Sequence, residues 1–234
     1  MPTPAPSKLL WAAELPRGAW TMARVGFGGL GLADAPRGDG RPIMLLPGLF
    51  NSDRSNFLMR RYLRALGYFV RGWNLQRNLG MRTVGSEGER LFERIRALRE
   101  ERGAPVTLIG VSLGGMLARL AAHRMPDDVR EVITVSSPFA GDPRATNVWR
   151  AFEWVTGDRI DDAMIKARTE EIARSLPVPA TAIWSASDGL VAGAICHAPD
   201  DPNCRNIEVR SSHLGVQLNP QVLRVIAGVL AGED

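Results

Sequence analysis

From Pro42 onward the chain alternates between two patterns: short, nearly unbroken apolar runs, and longer stretches in which apolar residues recur every three or four positions. The runs are Pro42–Leu46, Tyr68–Trp73, Val106–Ile109, Val129–Val135, Val178–Trp184 and Ile207–Val209. Apolar runs of this length, bounded by turn residues, predict strands buried on both faces. The stretches between them predict helices. Phe57–Leu66 carries Phe57, Leu58, Tyr62, Leu63 and Leu66 and stops at Gly67, and Glu87–Arg102 carries Leu91, Ile95 and Leu98 and stops at Gly103. Leu113–Arg124, two helices within Val148–Ser175 joined around Gly157-Asp158, and Val222–Leu230 complete the set. Strands alternating with helices predict the α/β class, with a mostly parallel central sheet flanked by helices and right-handed connections.

Residues 1–40 do not follow this alternation and are expected to form an N-terminal extension ahead of a domain spanning 41–234. Within it, residues 7–24 predict a short helix bearing Leu9, Leu10, Trp11, Leu15, Trp20 and Met22, interrupted by Pro16 and Gly18 and packed on the core. The two tryptophans also suit peripheral contact with a lipid surface. Gly26–Gly31 superficially resembles a phosphate loop. It neither follows a strand nor opens a helix, and is expected to be a connector. The apolar stretch 8–13 is too short for a secretory signal and no run is long enough to span a membrane, so a cytoplasmic location is expected.

In an open parallel sheet, chemistry gathers at the carboxyl ends of the strands. After Val106–Ile109 comes Gly110-Val-Ser-Leu-Gly114, then Gly115 and a helix. Strand, sharp turn and helix are the context that makes such a serine a nucleophile: its hydroxyl stands exposed at a helix N-terminus, and Gly110 and Gly114 have no side chain to collide with strand or helix. Ser112 is therefore the candidate nucleophile. A serine hydroxyl needs a base, and the base an orienting carboxylate. Of three histidines, His123 lies eleven residues along the helix that Ser112 opens, roughly 16 Å away. His213 follows the last predicted strand and is preferred as base, with His197 as rival. Asp188 follows the preceding strand and is preferred as the acid over Asp200 and Asp201. Two backbone N–H groups would stabilise the oxyanion: that of Leu113, after the nucleophile, and that of Leu49 in Pro47-Gly-Leu-Phe50, with Phe50 as near rival and possible substrate contact.

Composition adds limits. The chain is 45% apolar and 23% charged, with a net charge of +4, which excludes wholesale disorder. Of 29 basic residues only Lys8 and Lys166 are lysine, and the arginines are interspersed with acids; nucleic-acid binding is not expected. Cys196 and Cys204 flank a polar, turn-forming segment that predicts a disulfide, with two ordinary thiols as the alternative; two cysteines without a second cluster do not suggest a metal.

Leu46-Pro-Gly-Leu49, Gly72-Trp-Asn74 with Asn78 and Gly80, Gly110–Gly115, Ser137-Pro-Phe139, Ser185–Gly189 and Ser212–Gly215 together resemble the α/β-hydrolase superfamily, specifically its small lipase- and esterase-like members. The resemblance covers roughly Arg41 to Leu230, and Pro47 departs from it by standing where related enzymes often have a histidine. It implies the same Ser112, Asp188 and His213, an acyl-enzyme resolved by water, and no metal or organic cofactor. It also places a helical lid at 138–177, where Trp149, Phe152 and Trp154 are candidate substrate contacts. The expected activity is hydrolysis of a small apolar carboxylic ester. The alternatives are a thioesterase or acyltransferase using the same residues, and a non-catalytic binding protein of the same fold.

Overall fold

The computed structural model describes residues 3–28 and 34–233. Six strands form one all-parallel sheet in the order β2-β1-β3-β4-β5-β6: β1 Pro42–Leu46, β2 Phe69–Gly72, β3 Val106–Val111, β4 Val129–Val135, β5 Ala180–Trp184 and β6 Cys204–Glu208. Every residue of β1 and β3 is buried, which explains their unbroken apolar sequence. Side chains alternate between the faces: Met44 and Leu46 point into one core, Ile43 and Leu45 into the other. The first core is closed by α4 (Glu89–Arg102) and α5 (Leu113–Arg124), the second by α2 (Phe57–Leu66) and α8 (Pro220–Ala231). On α2, Met59, Tyr62, Leu63 and Leu66 are buried at helical spacing, each removing roughly 1.5–3 kcal/mol of apolar exposure. Its end is set by Gly67, whose φ of 111° a side chain would oppose. A four-residue helix, α3 (Met81–Val84), lies after β2, where the sequence pattern predicts none.

The chain runs outward from β1 to β2, then returns to the other side of β1 for β3. The loops after β1 and β3 therefore diverge at the point where strand order reverses, the natural crevice of an open sheet. Between β4 and β5 the chain makes α6 (Trp149–Thr156) and α7 (Ala163–Ala173), joined through Gly157 and Asp158 as the spacing predicts. Arg119 of α5, 1% exposed, ties down the end of α7: its guanidinium donates to the carbonyls of Ile172 and Arg174 and lies over the Phe139 ring. Burial pushes its pKa down to about 10.

Two expectations are corrected. The N-terminal helix, α1 (Lys8–Gly28), continues through Pro16 into the segment read as a connector; residues 29–33, the rest of that segment, lie outside the described residues. Nor, among the described side chains, does α1 pack mainly through apolar residues. Leu9, Trp11, Leu15, Trp20 and Met22 are exposed, while Glu14 and Gly18 are buried. Leu10, Glu14, Arg17, Gly18 and Thr21 are less exposed than these and recur at helical spacing, so the packed face is largely polar or side-chain-free. The cysteines are the second correction, because both are free. Cys204 opens β6 beside Ala180, earlier than the apolar pattern places that strand, and packs in the α4–α5 core. Cys196 packs in a separate small cluster with Ala145, Val191 and Ile195. No helix among the described residues is long and apolar enough to cross a membrane.

Candidate active site

Ser112 stands between β3 and α5 with φ 52° and ψ −122°, a conformation non-glycine residues avoid. The surrounding glycines make it attainable. A Cβ on Gly110 would come within 2.4 Å of the Gly114 carbonyl oxygen, and one on Gly114 within 2.4 Å of the Leu46 carbonyl oxygen. A Cβ on Gly115 would come within 2.0 Å of Ser137 Oγ. Strand, turn, helix and the end of β1 are thus pressed together with no room for a side chain.

The loop after β1 lies against this turn, with the Cβ position of Gly48 3.4 Å from that of Ser112. Phe50 N–H donates to the Asn78 carbonyl at 2.8 Å, which removes it as an oxyanion donor. The N–H groups of Leu49 and Leu113 donate to no acceptor among the described residues. Asn78, fully buried, holds the loop at several points: its Nδ2 donates to the Pro47 carbonyl at 2.6 Å, its N–H to the Asn51 carbonyl at 2.8 Å, and its Oδ1 accepts from Gly80 N–H at 3.0 Å. The sequence marks Asn78 only as part of a resemblance; its bracing role appears with the tertiary contacts.

Asp188 and His213 come together. His213 Nδ1–H donates to Asp188 Oδ2 at 2.7 Å, while Asp188 Oδ1 accepts from the N–H groups of Leu190 and Val191, each at 2.9 Å. The carboxylate is 2% exposed and the imidazole 11%. Burial opposes a charge on the imidazole, but the Asp188 carboxylate, through charge and hydrogen bond, and the more distant Glu14 outweigh it, raising the His213 pKa above 6.5. Ser112 Oγ and His213 Nε2 make no hydrogen bond among the described residues. The rivals are placed elsewhere: His197 stacks on Trp184 with centroids 4.1 Å apart and donates from Nδ1 to the Gly193 carbonyl, and His123 lies at the far end of α5.

Glu14, absent from the expected site, reaches in from α1. Its Oε1 accepts from Gly189 N–H at 2.7 Å and His213 N–H at 3.0 Å, and its Oε2 from Leu214 N–H at 2.8 Å. The only trace in the sequence is an isolated acid in an apolar stretch.

Ser112 opens onto a narrow apolar cleft of about 80 Å³ roofed by α6 and α7, whose lining includes Leu49, Met116, Trp149, Phe152, Ile160 and Ile165. Among the described residues, no carboxylate lines it. Of the candidate substrate contacts, Trp149 and Phe152 line this cleft, whereas Trp154 is 82% exposed and Phe50 lies outside the lining. A second cleft of about 50 Å³ adjoins it, sharing Met116, Phe152 and Ile165 and lined also by Asp158 and Arg168. Among the described residues, no group of three or more His, Cys, Asp or Glu side chains is placed to hold a metal ion.

The family model for serine aminopeptidase, S33, matches residues 88–195, a span that includes Ser112 and Asp188 and ends before His213. Comparison with curated protein sequences finds no match. Among solved structures, the chain is similar to Aspergillus fumigatus lipase B, with 18% identity and a TM-score of 0.60 over 85% of this chain; it spans 55% of that lipase's length. It is also similar to Bacillus licheniformis lipase BlEst2, with 16% identity and a TM-score of 0.61 over 84% of this chain and 94% of that one. Paleococcus ferrophilus monoacylglycerol lipase gives 17% identity and a TM-score of 0.58 over 83% and 97%.

Proposed function

The chain carries the α/β-hydrolase fold, and on that fold we propose that it is a serine hydrolase cleaving carboxylic esters with an apolar acyl group. Ser112 attacks the ester carbonyl, and His213 takes its proton as general base. Asp188 orients the imidazole and stabilises the imidazolium. The N–H groups of Leu49 and Leu113 receive the oxyanion; its collapse breaks the ester C–O bond as His213 gives the proton to the leaving alcohol, and the acyl-enzyme is then hydrolysed by water that His213 activates. The acyl chain lies in the cleft beneath α6 and α7, which act as a lid, against Trp149 and Phe152.

The observation that carries this reading is the strained Ser112 turn opening onto an apolar cleft. The apolar lining at Ser112 suits an acyl chain; a buried ammonium would call for a carboxylate, and among the described lining residues that is Asp158 of the second cleft and none at Ser112 itself. The test is steady-state hydrolysis of p-nitrophenyl esters of rising chain length alongside an aminoacyl p-nitroanilide, for the wild type and Ser112→Ala. Ester hydrolysis that rises with acyl length and is lost in Ser112→Ala is expected. Turnover of the anilide alone, or of esters equally by both proteins, would overturn the reading. Product formed only when an alcohol or thiol acceptor is added would assign acyl transfer instead.

A further inference from the structure

The carboxylate of Glu14 is 2% exposed and its hydrogen bonds go to backbone N–H groups of two loops distant in sequence. Oε1 alone bridges them: one bond goes to the residue after Asp188, the other to His213 itself. An anion is seldom buried without such donors, and three charge-assisted bonds hold this one. Around it α1 is packed too closely for ordinary side chains. A Cβ on Gly18 would come within 2.9 Å of the Leu214 carbonyl oxygen, and one on Gly189 within 2.3 Å of that of Leu10. Arg17, one turn on, donates to the Ser187 carbonyl at 2.6 Å and to Ser187 Oγ at 2.9 Å. The two loops are also tied to each other by neutral hydrogen bonds at Ser211, whose carbonyl accepts from Ser185 Oγ and Ser187 Oγ and whose N–H donates to Ser185 Oγ.

We propose that Glu14 is a positioning residue for the His213–Asp188 pair, and that α1 is thereby a working part of the active site. Resting on the serine-hydrolase reading above, the inference gives Glu14 two effects. It fixes the backbone on both sides of the Asp188–His213 hydrogen bond, so the imidazole is held before substrate arrives. It also sets a second negative charge near the imidazole, favouring the imidazolium formed when the serine proton is taken up. Among the described residues, the charged groups acting on His213 are Asp188 from the loop after β5 and Glu14 from α1; Arg17 of α1 is bound to Ser187, and Arg210 precedes His213 on its own loop. Glu14→Gln changes one of these and leaves the shape of the side chain.

The test combines ester kinetics with the titration of His213 followed by NMR in the full chain. In Glu14→Gln, kcat is expected to fall about ten- to a hundredfold with KM nearly unchanged, the scale of a slightly misplaced catalytic group. The acidic limb of kcat/KM and the His213 titration should both move to lower pH, since a stabilising negative charge has gone. Glu14→Asp keeps the charge but retracts it by one methylene; it should lose part of kcat while keeping the limb near its wild-type position, and it carries the test if Glu14→Gln does not fold. A folded Glu14→Gln with wild-type kcat and an unshifted His213 titration would overturn the proposal. So would variants that lose only thermal stability. If the wild type hydrolyses no ester, the serine-hydrolase reading fails, and the His213 titration still decides whether Glu14 acts on the imidazole.

Discussion

The two halves of the site are built on different principles. The Ser112 half is made by exclusion: backbone atoms of Gly110, Gly114, Leu46 and Pro47 crowd together, and the conformation follows because no side chain intervenes. The Asp188–His213 half is made by attachment. Two loops are joined by hydrogen bonds to each other and to a carboxylate 175 and 199 residues away in sequence. A site built by exclusion tolerates no added atom, whereas one built by attachment tolerates substitutions and loses precision in proportion to the bonds removed.

That contrast orders the expected effects. Gly114→Ala is expected to be the most damaging change, because its Cβ meets backbone with no flexible neighbour to yield. A loss of about 4 kcal/mol in denaturant unfolding, with activity gone, is expected. Gly232→Ala, where nothing lies within 4 Å of the added atom, should cost only about 1 kcal/mol. Equal losses at the two positions would remove the claim of exclusion. Asp188→Asn leaves packing intact but should cost kcat about 10⁴-fold, with KM little altered, since the imidazole loses its orienting acceptor. Asn78→Ala should lower kcat about ten- to a hundredfold by freeing the loop that carries Leu49, and purified variant with wild-type kcat would break the link between that brace and the oxyanion. Phe152→Ala should be the mildest, shifting preference among acyl chain lengths by a few-fold, as fits one altered wall of an apolar pocket. The pH dependence sharpens the attached half. His213 must be neutral to act as base, and its pKa is raised above 6.5. Activity should therefore fall as pH drops through a value above 6.5, and a limb below it would contradict the two-carboxylate environment.

The same contrast explains what could be read from the residues alone. The elbow is contiguous, so its glycines, its serine and the helix behind it show in a few consecutive letters, and β1 and β3 show because burial on both faces leaves unbroken apolar runs. Asp188 and His213 follow from their places at strand ends. Glu14 has no such mark, because its meaning depends on which way α1 faces, and Leu9, Trp11, Leu15, Trp20 and Met22 of that helix are exposed. The expected Cys196–Cys204 disulfide failed for a related reason: β6 begins at Cys204, in a polar stretch that the apolar pattern assigns to a loop, and this carries the thiol into a different core.

The central claim is that Ser112 is the nucleophile, and the most direct measurement of it is covalent. Full-length protein treated with a fluorophosphonate probe, digested and mapped by mass spectrometry should carry the phosphonyl adduct on the peptide containing Ser112. His213→Ala should label far more slowly and Ser112→Ala not at all. An adduct on another serine, or none on the folded wild type, would contradict the account.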